Sequence, residues 1–195
     1  MTATPGQLDE PAAGADSEAA VVVRTAKPEE IPAVGRLTTE VYRAAELGDE
    51  EYLEHVGRAD DRALRACLLV AQGEDFGSLL GTITLAVAGG DYADIAQPGE
   101  AELRMLAVAP AAAGRGIGRC LVEACHERAA AAGAWQVVCS VEEQNARALR
   151  FYARLGYLRS PDRDWWPIAT VKLLAFTREL DGACAPNETG AEARM

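Results

Sequence analysis

A chain of 195 residues, 49% hydrophobic and 25% charged, is long enough for one folded unit with a full core and slightly long for two; it reads as neither disordered nor membrane-embedded. Its formal net charge of −11 argues against a nucleic-acid partner, because neutralising phosphates takes a surplus of Lys and Arg on one face, and suits a cationic or neutral one. The start carries no basic and apolar leader and no run of about 18 apolar residues occurs anywhere, so a cytoplasmic protein without membrane contact is expected, its five cysteines Cys67, Cys120, Cys125, Cys139 and Cys184 being free thiols.

Residues 1–20 and 181–195 are polar, without hydrophobic period, and are expected to be disordered tails around a folded segment spanning 21–180. Val21 to Thr25 reads as a strand. Pro28-Glu29-Glu30 opens a helix, with Pro near its first turn and acids at its positive end, and Ile31, Val34, Leu37 and Val41 recur at helical spacing. The acidic stretch Leu47 to Asp61 hints at a second short helix. Leu64 to Ala71 and Leu79 to Val87 are apolar runs that suit an antiparallel pair, closed by Gly89-Gly90.

Glu102 to Val108 is the next strand, ended by Pro110. Ile117, Leu121, Ala124, Cys125 and Ala132 mark one face of a long helix that Gly133 can cap. Trp135 to Val141 is a strand; a helix from Asn145 carries Ala148, Phe151, Tyr152 and Leu155 on one stripe and stops at Gly156; Thr170 to Leu180 is a final strand. This order places the chain in the α/β (α+β) class with a mixed sheet.

The stretch from Leu106 to Arg119, a strand leading through a glycine-rich turn into a helix, carries the chemistry. First-turn amides of a helix lack internal partners and sit at the positive end of the macrodipole, so anions settle there. Gly114, Gly116 and Gly118 remove side chains that would keep the backbone from a phosphate, and Arg115 and Arg119 add charge. A Walker A loop would need a Lys and a hydroxyl that this turn lacks, and the G-x-G-x-G spacing after several earlier elements departs from a dinucleotide fingerprint. A plain flexible connection is the bland alternative.

At these residues the sequence resembles the GNAT superfamily of N-acetyltransferases, whose acetyl-CoA loop reads Gln/Arg-x-x-Gly-x-Gly/Ala at a strand end. Asn145-Ala146-Arg147-Ala148-Leu149-Arg150-Phe151-Tyr152-Ala153-Arg154-Leu155-Gly156-Tyr157 is similar to a second signature of that family, Asn-x-x-A-x-x-F/L-Y-x-x-x-G-F/Y, and the likeness extends over roughly Val21 to Leu180. One position departs: Ala113 stands where the loop usually has Gln or Arg. The resemblance implies a mixed, mostly antiparallel central sheet flanked by helices, with one strand splayed from its neighbour to admit acetyl-CoA. The backbone of Leu106, Ala107 and Val108 would then hold the pantetheine arm, and Gly114, Arg115, Gly116, Ile117, Gly118 and Arg119 the diphosphate.

Asn145 suits an N-cap, a role compatible with a cofactor contact, and Tyr152 is either a core tyrosine or the acid that protonates the departing thiolate. Glu102 is the candidate base against a solvated strand-end carboxylate. Two histidines, His55 and His126, make a triad or a multi-His metal site improbable, His126 falling on the solvent side of its helix; no metal is expected. Glu142 and Glu143 are alternative carboxylates, since the position used by one branch of the family is Ser140 here. Glu46, Asp49, Glu50, Glu51 and Glu54 either attract a cationic amine or form a solvated face, and Trp165-Trp166-Pro167 either walls a pocket or closes the core. The expected activity is direct acetyl transfer to a small-molecule or peptide amine; a non-catalytic acyl-CoA-binding module and an N-acyltransferase for longer acyl chains stay open, as does a homodimer.

Overall fold

The computed structural model describes residues 21–73 and 77–181. Residues 1–20 and 182–195 of the expected tails, Cys184 among them, lie outside the described residues. Among the described residues eight strands form one sheet: β1 (Val21–Thr25), β2 (Cys67–Gly73), β3 (Leu79–Val87), β4 (Glu100–Val108), β5 (Gln136–Glu142), β6 (Leu158–Arg159), β7 (Trp165–Ile168) and β8 (Val171–Glu179). Their order is β1-β2-β3-β4-β5-β8-β6, with β7 also pairing β8. Every pairing is antiparallel except β4 with β5, so the sheet is mixed and mostly antiparallel, as expected. The α-helices that flank it among the described residues are α1 (Ile31–Ala44), α2 (Glu50–Gly57), α3 (Ala59–Arg65), α4 (Ile117–Ala131) and α5 (Ala146–Arg154).

Both faces of the sheet are covered, which is why β2 and β3 read as nearly unbroken apolar runs instead of alternating ones. Leu69, Ala71, Ile83, Leu85, Ala101 and Leu103 pack with Leu121, Val122 and Cys125 of α4. The residues between them face the other way: Val70 and Leu68 pack with Val34 and Ala59, and Ala86 and Met105 pack with Leu53 and Val56. On that side Arg62 is fully buried and donates to the Thr38 hydroxyl at 3.1 Å, the Thr84 hydroxyl at 3.3 Å and the Val56 carbonyl at 2.8 Å. It thereby ties α3 to α1, α2 and β3.

Several boundaries differ from the sequence reading. Leu64 and Arg65 close α3 instead of opening β2, and Leu64 is 82% exposed. The acidic stretch forms two short helices, broken at Arg58, which has non-helical ψ of 68°. Ala132 follows α4 and is exposed, its place on the buried face being taken by Val122 and Ala129. Gly133 does reverse the chain after α4, with φ of 86°, as Gly156 does after α5, with φ of 79°. The short strands β6 and β7 lack the length or alternation that would mark them.

The feature that positions the site is in β4. Thr82 pairs with Ala107 but Thr84 pairs with Arg104, so Met105 and Leu106 together oppose Ile83. This is a β-bulge, and Met105 adopts φ of 52° within it, a conformation L-residues with side chains avoid. A bulge bends and twists its strand. The parallel pairing of β4 with β5 accordingly runs only from Glu100↔Gln136 to Leu103↔Cys139, while β5 stays paired to β8 as far as Glu142. Past Leu103 the two strands part.

Candidate active site

Parting leaves the backbone of β4 beyond Leu103 without a partner strand on the β5 side, and a cavity of about 1110 Å³ opens there. Its walls come from both faces of the sheet. On the α4 side they include Leu106, Val108, the turn before α4, Asn145, Phe151 and Tyr152; on the α1 side they include Tyr42, Tyr52, His55, Glu102 and Arg104. A gap within the sheet is what lets the two sets share one cavity.

The turn is built for an anion. After a single 3-10 turn at Pro110–Ala112, Gly114 and Gly116 adopt φ of 81° and 76°, which glycine reaches without strain. Gly116 is the N-cap of α4 and no side chain caps that end, so the first-turn amides of Ile117, Gly118 and Arg119 have no intrahelical acceptor. A Cβ on Gly118 would lie 3.3 Å from the Phe151 ring, so close helix packing explains this glycine. Arg119 lines the cavity and pairs with Glu123 at 2.7 Å. Arg115 is exposed and is not part of the wall, and the Ala107 side chain points into the core at 1% exposure.

Helix α5 presents Tyr152. Asn145 caps the helix by accepting from the Ala148 amide at 3.0 Å, which fixes the register of the residues behind it. The Tyr152 ring packs edge-on to Phe151 and Tyr157, with centroids 5.2 and 5.1 Å apart. Its hydroxyl makes no hydrogen bond among the described residues, and burial holds it well above the usual phenol range. Tyr157 in turn meets His126, whose Nε2 lies 2.7 Å from the Tyr157 hydroxyl. His126 is therefore half-buried and not the solvent-side residue its helix position suggests; burial and Arg178 push its pKa down to about 4.

Glu102 is 1% exposed and so is not a solvated strand-end carboxylate, since β4 starts two residues earlier and Glu102 lies inside the sheet. Its Oε2 accepts from the amides of Ile95 and Ala96 at 2.8 and 3.1 Å, and its Oε1 lies 4.0 Å from Arg104 Nε. Burial raises its pKa, against the opposing pull of the Ile95 amide and Arg104. Arg104 is itself ion-paired with Asp94. Glu142 lines the cavity where the strands part, and burial raises its pKa too; Glu143 is exposed and pairs with Lys172.

Among the acids of the α1–α2 connection, Asp49 and Glu51 line the cavity. Asp49 also caps α2 by accepting from the Tyr52 amide, Glu50 pairs with Arg43, and Glu46 and Glu54 are exposed elsewhere. Trp165 and Pro167 are wall residues, and the Trp165 indole donates to the Ser140 hydroxyl at 3.0 Å. Trp166 is 56% exposed with Lys172 over its ring. The sequence reading missed Tyr42, Tyr52, His55 and Arg104. The first three follow one another as rings about 6.1 Å apart, and the i, i+3 spacing of Tyr52 and His55 in an exposed acidic helix was the available signal.

The acetyltransferase (GNAT) family matches residues 32–157. Among curated proteins none matches the chain by sequence. A GCN5-related N-acetyltransferase from Kribbella flavida superposes with a TM-score of 0.60 at 25% identity, covering 82% of this chain and 98% of that one. The PaiA N-acetyltransferase from Thermoplasma acidophilum, in complex with coenzyme A, gives 0.62 at 18% identity over 80% and 98% of the two chains. A GNAT-family acetyltransferase from Staphylococcus aureus gives 0.63 at 12% identity over 83% and 99%.

Proposed function

The chain belongs to the acetyltransferase (GNAT) family, and from that membership we propose that it is an N-acetyltransferase, moving the acetyl group of acetyl-CoA to a primary amine by direct attack in a ternary complex. The observation that carries the reading is the parting of β4 and β5 beside the uncapped start of α4. An unpaired strand edge suits an amide-bearing arm, and a helix start with left-handed glycines before it suits a diphosphate.

The residues fit that cosubstrate. Leu106, Ala107 and Val108 offer backbone donors and acceptors on the free edge, and nothing lies within 4 Å of a Cβ placed on Gly114 or Gly116, so a phosphate can approach amides from Gly114 to Arg119. Bound acetyl-CoA supplies a thioester carbon open to a nucleophile. The chain's own groups then manage protons and charge. Glu102 takes a proton from the acceptor ammonium, directly or through a water. Amides near Leu106 to Val108 polarise the carbonyl oxygen. As the N–C bond forms and the C–S bond breaks, Tyr152 gives its proton to the sulfur, and the second proton that the new amide nitrogen sheds returns through water to the tyrosinate. Burial that holds Tyr152 protonated also raises the basicity of a thiolate forming beside it, so donation stays matched.

The acceptor enters from the α1 side, where Glu102, Glu142, Asp49 and Glu51 outnumber Arg104, which Asp94 already neutralises. That balance favours a small cationic amine or a basic peptide end. Incubation with acetyl-CoA and a panel of primary amines, read as free thiol and as acetylated product by mass spectrometry, tests the proposal. Thiol release matched by acetylated amine supports it; binding of acetyl-CoA without amine-dependent turnover overturns it in favour of a non-catalytic module.

A further inference from the structure

Glu102 does not hold its own position. Its Oε2 is fixed by two amides of the loop between β3 and β4, Ile95 at 2.8 Å and Ala96 at 3.1 Å. Ala96 and its neighbours form no regular element, so something outside the loop must keep these amides aimed. That anchor comes from more than sixty residues away. Arg163, at the end of the single turn Pro161–Arg163 between β6 and β7, donates to the Ile95 carbonyl and forks onto Glu100, Nη1 to Oε1 at 3.0 Å and Nη2 to Oε2 at 2.6 Å. Glu100 Oε2 also accepts from the Gln97 amide at 2.8 Å. The side chains of Arg163 and Glu100 are 10% and 2% exposed, and neither lines the cavity.

We infer that Arg163 is a positioning residue for the proposed base: through Glu100 and the Ile95 carbonyl it clamps residues 95–97 so that the Ile95 and Ala96 amides hold Glu102 Oε2 and leave Oε1 toward the cavity. The inference rests on Glu102 acting as the base. A bidentate guanidinium–carboxylate pair with almost no solvent access is directional and poorly screened, and it meets the same stretch of backbone that grips Glu102. A loop held at the Ile95 carbonyl and the Gln97 amide cannot slide by one residue without breaking both. The groups that face Glu102 are Arg104 on its own strand, Asp94 on the loop and Cys139 on β5, with Tyr42, Tyr52 and His55 across the cavity. None of these side chains hydrogen-bonds or ion-pairs with Arg163.

Amide hydrogen bonds favour the charged carboxylate and offset its burial. Releasing the clamp removes that offset, the proton is held more tightly, and the acidic limb of the kcat/KM profile moves to higher pH. In Arg163→Met the limb is expected to rise by about one pH unit, the effect of losing one hydrogen bond to a charged group. Calorimetric affinity for acetyl-CoA and KM for it should stay unchanged, and Arg163→Lys should restore much of the limb. Because Arg163→Met leaves Glu100 buried without its partner, the Arg163→Met/Glu100→Gln double variant is measured beside it and carries the same expectation if the single variant fails to fold. A limb that stays at its wild-type position in whichever of these folds overturns the inference. Glu102→Gln separates the two readings: loss of the acidic limb there sustains the base assignment, whereas a limb that persists overturns that assignment, and the clamp's role with it.

Discussion

Replacing Tyr152 with Phe removes one oxygen and leaves the packing that surrounds it. The ring keeps its edge-on contacts with Phe151 and Tyr157, and the hydroxyl makes no hydrogen bond among the described residues, so no donor or acceptor is orphaned by its loss. Stability should therefore change by less than about 1 kcal/mol, a shift in melting temperature of less than about 4 °C for a chain of this size. Affinity for acetyl-CoA should hold as well, since the proposed contacts lie at the β4 edge and the glycine turn. Transfer is another matter. Loss of a positioned acid typically costs about 10²–10⁴-fold, or about 3–5 kcal/mol on the barrier. Single-turnover transfer measured by rapid quench, alongside melting curves of both proteins, separates packing from chemistry. Near-equal transfer rates would refute the acid role and return Tyr152 to the core.

Gly116→Val places a β-branched residue at φ of 76° with nothing within 4 Å of its Cβ; a stability loss of about 1–2 kcal/mol or more is expected from the backbone alone, and acetyl-CoA affinity by calorimetry should fall well beyond what the folded fraction explains. Neutralising Asp49 and Glu51, the two acids of their stretch on the cavity wall, should raise KM for a cationic amine and flatten its salt dependence, whereas Glu46→Gln and Glu54→Gln should do neither. His126 is neutral in the fold, with its pKa pushed down to about 4, so the unfolded chain binds the extra proton first, and stability falls as pH drops from about 6.5 toward 4. His126→Gln should flatten melting temperature against pH in that window, and a wild-type slope would show that His126 does not contribute.

Much of this architecture was legible because its signals are local. The glycine turn couples backbone conformation to composition at Gly114 and Gly116, and α5 announces itself through an N-cap, an apolar stripe and the stop at Gly156. What escaped depends on partners far away in sequence. Met105 carries no local mark of a bulge; its φ is set by the registers of β3 on either side of Ile83. The parting of β4 from β5 was expected only by resemblance, since no residue of either strand encodes it alone. His126 was placed in solvent because a helical period cannot see Tyr157 folding back over it. Glu102 read as a strand end because the acidic run before it hid where β4 starts, and its two holding amides belong to a loop without period. Arg163 sits 63 residues from Glu100 in an ordinary turn, and only the fold brings them together.

The mechanism depends most directly on where the thioester lies. A crystal structure with acetyl-CoA should place the pantetheine arm along the free edge of β4, hydrogen-bonded to the backbone between Leu106 and Val108. The diphosphate should meet the amides between Gly114 and Arg119, with the sulfur beside Tyr152 and the acetyl carbon turned toward Glu102. Acetyl-CoA bound outside the gap between β4 and β5, or its sulfur remote from Tyr152, would contradict it.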